Sequence, residues 1–213
     1  WTADKILVGR FLGSEALGYY SRAFSLLALP ARQISVAVTL VAVPALSRLR
    51  SEPDRFRCYY LRVVQMMAAT GMPLVGFTFV SADSLILVIL GDQWRPCAGI
   101  FQALGPAAFF ATLFTVGEGL VYIPLGDTMR WLRWTLGISP LCVLAFALGL
   151  RWGVMGVALC YSGAMAILRV PGIVYAYRGS PLSLRHLLGV LWQPAAASAA
   201  AGVLVYLALS SPW

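Results

Sequence analysis

Arg22, Ser25, Arg32 and Gln33 fall within one long apolar stretch of this 213-residue chain, where charged and amide side chains are costly. An arginine at the middle of a bilayer costs about 2.5–3.5 kcal/mol on insertion scales, so it persists where it faces a cavity or a partner. In a helix advancing about 100° per residue, Arg32 lies roughly 80° round from Arg22. Ser25 falls between them, and Gln33 lies roughly 20° to the other side of Arg22, so the four share an arc of about 100°. Phe24, Leu27, Ile34 and Val38 occupy the opposite side. A guanidinium is a planar, permanently charged donor fork suited to phosphate groups. The stripe therefore predicts a cavity wall that binds an anionic group through Arg32, Arg22, Gln33 and Ser25. The competing reading has Arg22 snorkelling to the outer interface and Arg32 in a structural ion pair. Pro30, between the two arginines, is placed to re-aim the stripe.

Two acids are candidates for ion coupling, since intramembrane carboxylates often act as relays. Glu118 lies about a turn inside the end of its apolar block, with Thr115 one turn above it; Asp4 lies in the first block beside Lys5. Pairing of Glu118 with an arginine of a neighbouring helix is an equally simple reading, and Arg169 is expected to snorkel, pair or touch substrate. Tyr19, Tyr20, Trp94, Trp131, Trp134, Trp152 and Trp192 lie near block ends, where aromatic belts form, and need no binding role.

Other chemistries find little support. Lys5 is the only lysine and no P-loop surrounds it. The lone His186 lacks partners for catalysis or zinc. Eight acids are scattered without a paired-carboxylate motif. The four cysteines show no metal-binding spacing and read as small apolar residues. No cofactor and no metal is expected.

The elements that must position these residues follow from composition. The chain is 60% hydrophobic and 11% charged, whereas soluble domains carry about 25% charged residues. A net charge of +8 comes without a basic stripe or nucleic-acid motif, and nucleic acid is not an expected partner. Blocks of about 20 apolar residues suit membrane helices. Six full spans are predicted, at Ala16–Ser47, Tyr59–Val80, Ala98–Ile123, Leu132–Leu150, Val154–Tyr177 and Leu187–Leu209, preceded by a truncated helix over Trp1–Leu12. The run Leu85–Leu90 is too short to cross and suits a helix end or interfacial segment. Pro30, Pro73, Pro124 and Pro171 mark kinks or helix ends. The fold class is an all-α polytopic membrane bundle, one transmembrane domain over residues 1–213, read as a fragment that begins inside a helix.

Loops 47–58, 125–133 and 178–186 hold Arg48, Arg50, Arg55, Arg57, Arg130, Arg133, Arg178 and Arg185. The alternate loops hold only Arg10, Arg95 and Arg151, together with Glu15, Asp83 and Asp92. Arginine concentrates in loops that stay in the cytoplasm, so the richer side is expected to be cytoplasmic.

A set of ordered motifs carries a family resemblance. They are Asp4-Lys-Ile-Leu-Val-Gly-Arg-Phe-Leu-Gly, Ala16-Leu-Gly-Tyr-Tyr-Ser-Arg-Ala-Phe-Ser-Leu, Pro44-Ala-Leu-Ser-Arg-Leu, Glu52-Pro-Asp-Arg-Phe-Arg, Leu90-Gly-Asp-Gln-Trp and Gly149-Leu-Arg-Trp-Gly-Val-Met-Gly-Val-Ala. Together they resemble bacterial polysaccharide flippases of the lipopolysaccharide and colanic-acid type, in the multidrug/oligosaccharidyl-lipid/polysaccharide exporter superfamily. The resemblance implies two six-helix lobes around a central cavity, with this chain as the C-terminal lobe and the N-terminal lobe as its partner. It implies flipping of an undecaprenyl-pyrophosphate-linked oligosaccharide by alternating access, for lipopolysaccharide or exopolysaccharide assembly, amid membrane lipids and other polysaccharide-assembly proteins. A drug or peptidoglycan-precursor exporter, a membrane enzyme of polysaccharide assembly and a transport-dead scaffold are the alternatives; the resemblance favours a transporter over an enzyme.

Overall fold

The computed structural model describes residues 3–210; the side chains of residues 30–31, 111–117 and 205–210, Pro30 and Thr115 among them, lie outside the described ones. The chain runs through helices α1 (Ala3–Arg48), α2 (Pro53–Val80), α3 (Ala82–Leu90), α4 (Pro96–Leu125), α5 (Thr128–Gly149), α6 (Gly153–Tyr177) and α7 (Leu184–Ser210). These long helices follow the predicted apolar blocks, and α3 takes up the short run after the second. Apolar sequence forces the outcome, because a backbone in lipid must satisfy its own hydrogen bonds.

Gly13 breaks α1 with φ 91° and ψ 174°, a region essentially closed to residues with a Cβ. The break reverses the chain. Tyr20 donates to Asp4 Oδ2 at 3.1 Å across 16 positions, which a continuous helix would hold about 24 Å apart. Residues 3–12 therefore lie antiparallel to the start of the long arm, with Gly9 against Leu17. Gly91 (φ 90°, ψ 172°) and Gly153 (φ 68°, ψ −158°) make corresponding turns. The Gly13 and Gly91 turns meet, since Tyr19 packs edge-on against Trp94 at 5.8 Å and Cys97 Sγ donates to the Tyr19 carbonyl at 3.4 Å. Met155, just past the Gly153 turn, touches Gly99 beside them. The three arginine-rich connections gather elsewhere, because one cavity is lined by Arg50, Tyr122, Asp127, Arg130 and Ser180.

Among the described residues, Pro53–Val80, Thr128–Tyr177 and Leu184–Leu204 are long and apolar enough to cross a membrane. The pair Ala3–Leu29 and Arg32–Arg48, bent by 41°, adds a fourth candidate. Thr128–Tyr177 is itself a hairpin, for α5 and α6 close on each other at Gly149 and Gly156. A Cβ on Gly149 would lie 2.7 Å from the Gly156 carbonyl oxygen. The chain is a multi-pass, all-α membrane bundle.

Two apolar cores fill it. One gathers Val8, Tyr20, Leu27, Phe101, Phe146 and Tyr161 near the glycine turns. The other gathers Leu46, Phe56, Tyr60, Met72, Val121 and Tyr177 near the arginine-rich connections. On α1 the change from one to the other falls between Leu27 and Ile34, where the helix bends. On α6 it falls between Met165 and Ile173, and Arg169 lies between those two positions.

Candidate functional site

The polar stripe of α1 lies on the outside of the bundle. Arg22, Ser25, Arg32 and Gln33 are all exposed, as are Leu29, Val36 and Leu40 along the same side. Leu27 is buried, while Phe24, Ile34 and Val38 are partly buried against the two cores. The division of α1 into a packed and an unpacked face thus agrees with the helical spacing. Arg32 stands about 24 Å along the helix from Arg48 and about 28 Å from Gly13, so it sits near the middle of the long arm. It makes no ion pair among the described residues. Arg22 lies much nearer the glycine-turn end, its guanidinium 5.8 Å from the Trp94 ring centroid, an arrangement at home beside an interfacial aromatic.

Glu118 and Arg169 come together. Arg169 Nη1 donates to both carboxylate oxygens of Glu118 at 3.3 Å, and the two side chains keep only 7% and 17% of their surface exposed. The pair joins α4 to α6. It borders a cavity of about 210 Å³ lined also by Trp131, Trp134, Thr135, Ile138, Met165 and Leu168. Gly172 makes room for it, since a Cβ there would lie 2.9 Å from Glu118 Oε1 and 3.1 Å from Trp134 Nε1. Burial without pairing would cost several kcal/mol per ion, which is why the two charges occur as partners.

Asp4 is 1% exposed and sits inside the α1 hairpin, not on a surface. Its Oδ2 accepts from Tyr20, while Oδ1 has no hydrogen-bond partner among the described residues. Lys5 points elsewhere, its Nζ 6.0 Å from the Phe24 ring centroid. Tyr20 differs from the expectation of an interfacial belt. It is fully buried, because the reversal at Gly13 folds residues 3–12 over it. Tyr60 and Tyr177, whose hydroxyls lie 3.1 Å apart, form a buried polar contact between α2 and α6 that spacing along one helix does not reveal.

The four stripe residues thus share one exposed face, while Glu118 and Asp4 lie in separate buried settings. The stripe supplies cationic and amide donors at mid-helix. The buried pair supplies a strong link between two helices, with a small cavity beside it.

Comparison with known proteins points the same way as the motifs. Residues 2–99 match the model of a family described as polysaccharide biosynthesis protein. The chain is 30% identical to the teichuronic acid biosynthesis protein TuaB of Bacillus subtilis (strain 168) over 151 residues, which is 70% of this chain and 31% of TuaB. It is 24% identical to the amylovoran biosynthesis protein AmsL of Erwinia amylovora over 198 residues, 90% of this chain and 48% of AmsL. Its fold is similar to that of the lipid II flippase MurJ in an inward closed conformation, with a TM-score of 0.71 at 17% identity, over 98% of this chain and 49% of that one. The family match and the two relatives bear out the resemblance to bacterial polysaccharide biosynthesis proteins, and the flippase is a likeness of fold. The chain spans half or less of the length of each of these proteins.

Proposed function

We propose, taking kinship with polysaccharide biosynthesis proteins as the premise, that this chain is one lobe of a flippase for a polyprenyl-diphosphate-linked oligosaccharide. Its match to about half of a lipid II flippase supports reading it as one of two lobes, a transporter rather than a catalyst, and the sequence motifs make it the C-terminal one. The observation that carries the reading is the exposed stripe of Arg22, Ser25, Arg32 and Gln33 on α1. A guanidinium at mid-membrane that leaves its own bundle needs water or an anion opposite it. The face of a second lobe across a wet cavity supplies both, and a diphosphate moving between leaflets is an anion that Arg32 can hold through paired hydrogen bonds. Arg32 is the principal contact, with Gln33 and Ser25 beside it and Arg22 toward the outer end. Glu118 and Asp4 are the acids that could respond to a coupling ion. The arginine excess in the loops 47–58, 125–133 and 178–186 is read as orienting that end toward the cytoplasm of a bacterial inner membrane.

Arg32→Ala in the full-length protein tests this. Delivery of lipid-linked glycan to the outer leaflet should fall by roughly tenfold or more, the worth of one charge-assisted hydrogen-bonded pair. Unchanged delivery at equal protein level overturns the site. Intact glycan delivery with altered drug resistance would instead favour a drug exporter.

A further inference from the structure

The cavity at the arginine-rich end has no part in that transport reading, and its chemistry is unusual for a loop cluster. It measures about 540 Å³, within the size range of small-molecule sites. Arg50, Asp127 and Ser180 line it from three separate connections, with Tyr122 and Arg130 from the adjoining ends of α4 and α5 and apolar walls such as Phe56.

Three of the eight arginines at this end are already engaged. Arg55 pairs with Glu52 at 2.9 Å, Arg57 with Asp54 at 2.9 Å, and Arg130 with Asp127 at 2.7 Å. Arg130 is spent further, donating to the Tyr175 carbonyl at 3.0 Å. Arg50 donates to no side chain among the described residues; its guanidinium rests against the turn at Gly126, 3.4 Å from where a Cβ would stand. Gly126 has φ 73°, so the turn demands glycine and also leaves room for the fork. Asp127 cancels Arg130, and the cavity keeps one net positive charge from Arg50.

A second, independent observation comes from Tyr122. Its side chain is 1% exposed and stacks on Trp131, yet its hydroxyl is buried without a hydrogen-bond partner among the described residues. Tyr122 lines this cavity, and its hydroxyl lies within electrostatic reach of Glu118 first and then of Arg130 and Asp127. Leaving such a donor unmatched costs about 1–3 kcal/mol, and a ligand acceptor would remove that cost.

We infer that this cavity binds the phosphodiester of a monoanionic glycerophospholipid, with Arg50 as the charge partner and Tyr122 as a second donor. One net positive charge matches one phosphodiester, and the apolar walls suit the glycerol and first acyl carbons. Basic pockets between membrane helices recognise anionic headgroups in this way.

Native mass spectrometry of the full-length protein, released from nanodiscs of phosphatidylethanolamine with a minor share of phosphatidylglycerol, reads the bound lipid directly. Arg50→Gln should lower retained phosphatidylglycerol by about tenfold, Arg50→Lys by less, and Tyr122→Phe by about threefold. Arg55→Gln makes the same change of charge in the same connection, but its guanidinium is held by Glu52. It should stay within about twofold of the parent. Equal losses in Arg50→Gln and Arg55→Gln would reduce the effect to general surface charge and overturn the site. Displacement of the lipid by millimolar inorganic phosphate would overturn the lipid assignment. Glycan delivery is a separate readout, so failure of the Arg32 test leaves this one standing.

Discussion

Arg169 and Glu118 differ from the arginines of α1 in what surrounds them. Theirs is a closed pair, and its removal by halves is the informative perturbation. Arg169→Gln leaves Glu118 buried and uncompensated, a change that typically costs about 3–5 kcal/mol. The double variant Arg169→Gln with Glu118→Gln should recover most of this in a thermal-unfolding cycle on the detergent-solubilised protein. If each single variant is as mild as the double, the pair does not tie α4 to α6. The stripe of Arg22, Ser25, Arg32 and Gln33 was legible because helical spacing alone puts four polar groups on one side. The pairing of Glu118 was not, since its partner lies 51 positions away on a helix whose rotation depends on packing. Tyr20 escaped for a similar reason. Nothing local says that residues 3–12 will fold back to bury it.

At the scale of elements, glycines decide how closely the helices approach. A Cβ on Gly156 would strike the Gly149 carbonyl oxygen and lie 2.6 Å from Trp152 Cβ, so α5 and α6 meet nearly backbone to backbone, as small residues permit in membranes. Gly156→Val should therefore destabilise the lobe by about 3 kcal/mol or more, the upper range for overpacking. Gly163→Ala, with nothing within 4 Å of the new Cβ, should stay within about 1 kcal/mol of the parent. Equal unfolding temperatures for the two variants would refute a backbone contact at Gly156. The helices themselves were readable to within about six residues, since their hydropathy reflects lipid on one side and core on the other. Of the predicted span Ala98–Ile123, however, only the shorter apolar run Pro96–Phe110 qualifies among the described residues. The bend of α1 between Leu29 and Arg32 was foreshadowed only by Pro30.

For the whole molecule, the alternation of arginine-rich and arginine-poor connections made the topology legible, and the gathering of the rich ones around one cavity agrees with it. Which side faces the cytoplasm is a matter of charge bias and can be measured. Cys58 is exposed close to the arginine-rich end, whereas Cys97 and Cys142 are buried. In a full-length protein retaining Cys58 as its sole cysteine, a membrane-impermeant maleimide should label intact spheroplasts weakly and permeabilised ones strongly. Strong labelling of intact spheroplasts would invert the orientation.

The two cores meet at the level where α1 bends and where Arg169 holds Glu118. Side chains interlock within each core at close-packed density, and such regions resist deformation. In mechanical terms the lobe is a pair of stiff blocks joined by a compliant waist. A twisting load applied at either end would be taken up first at the waist, the level at which Arg32 stands.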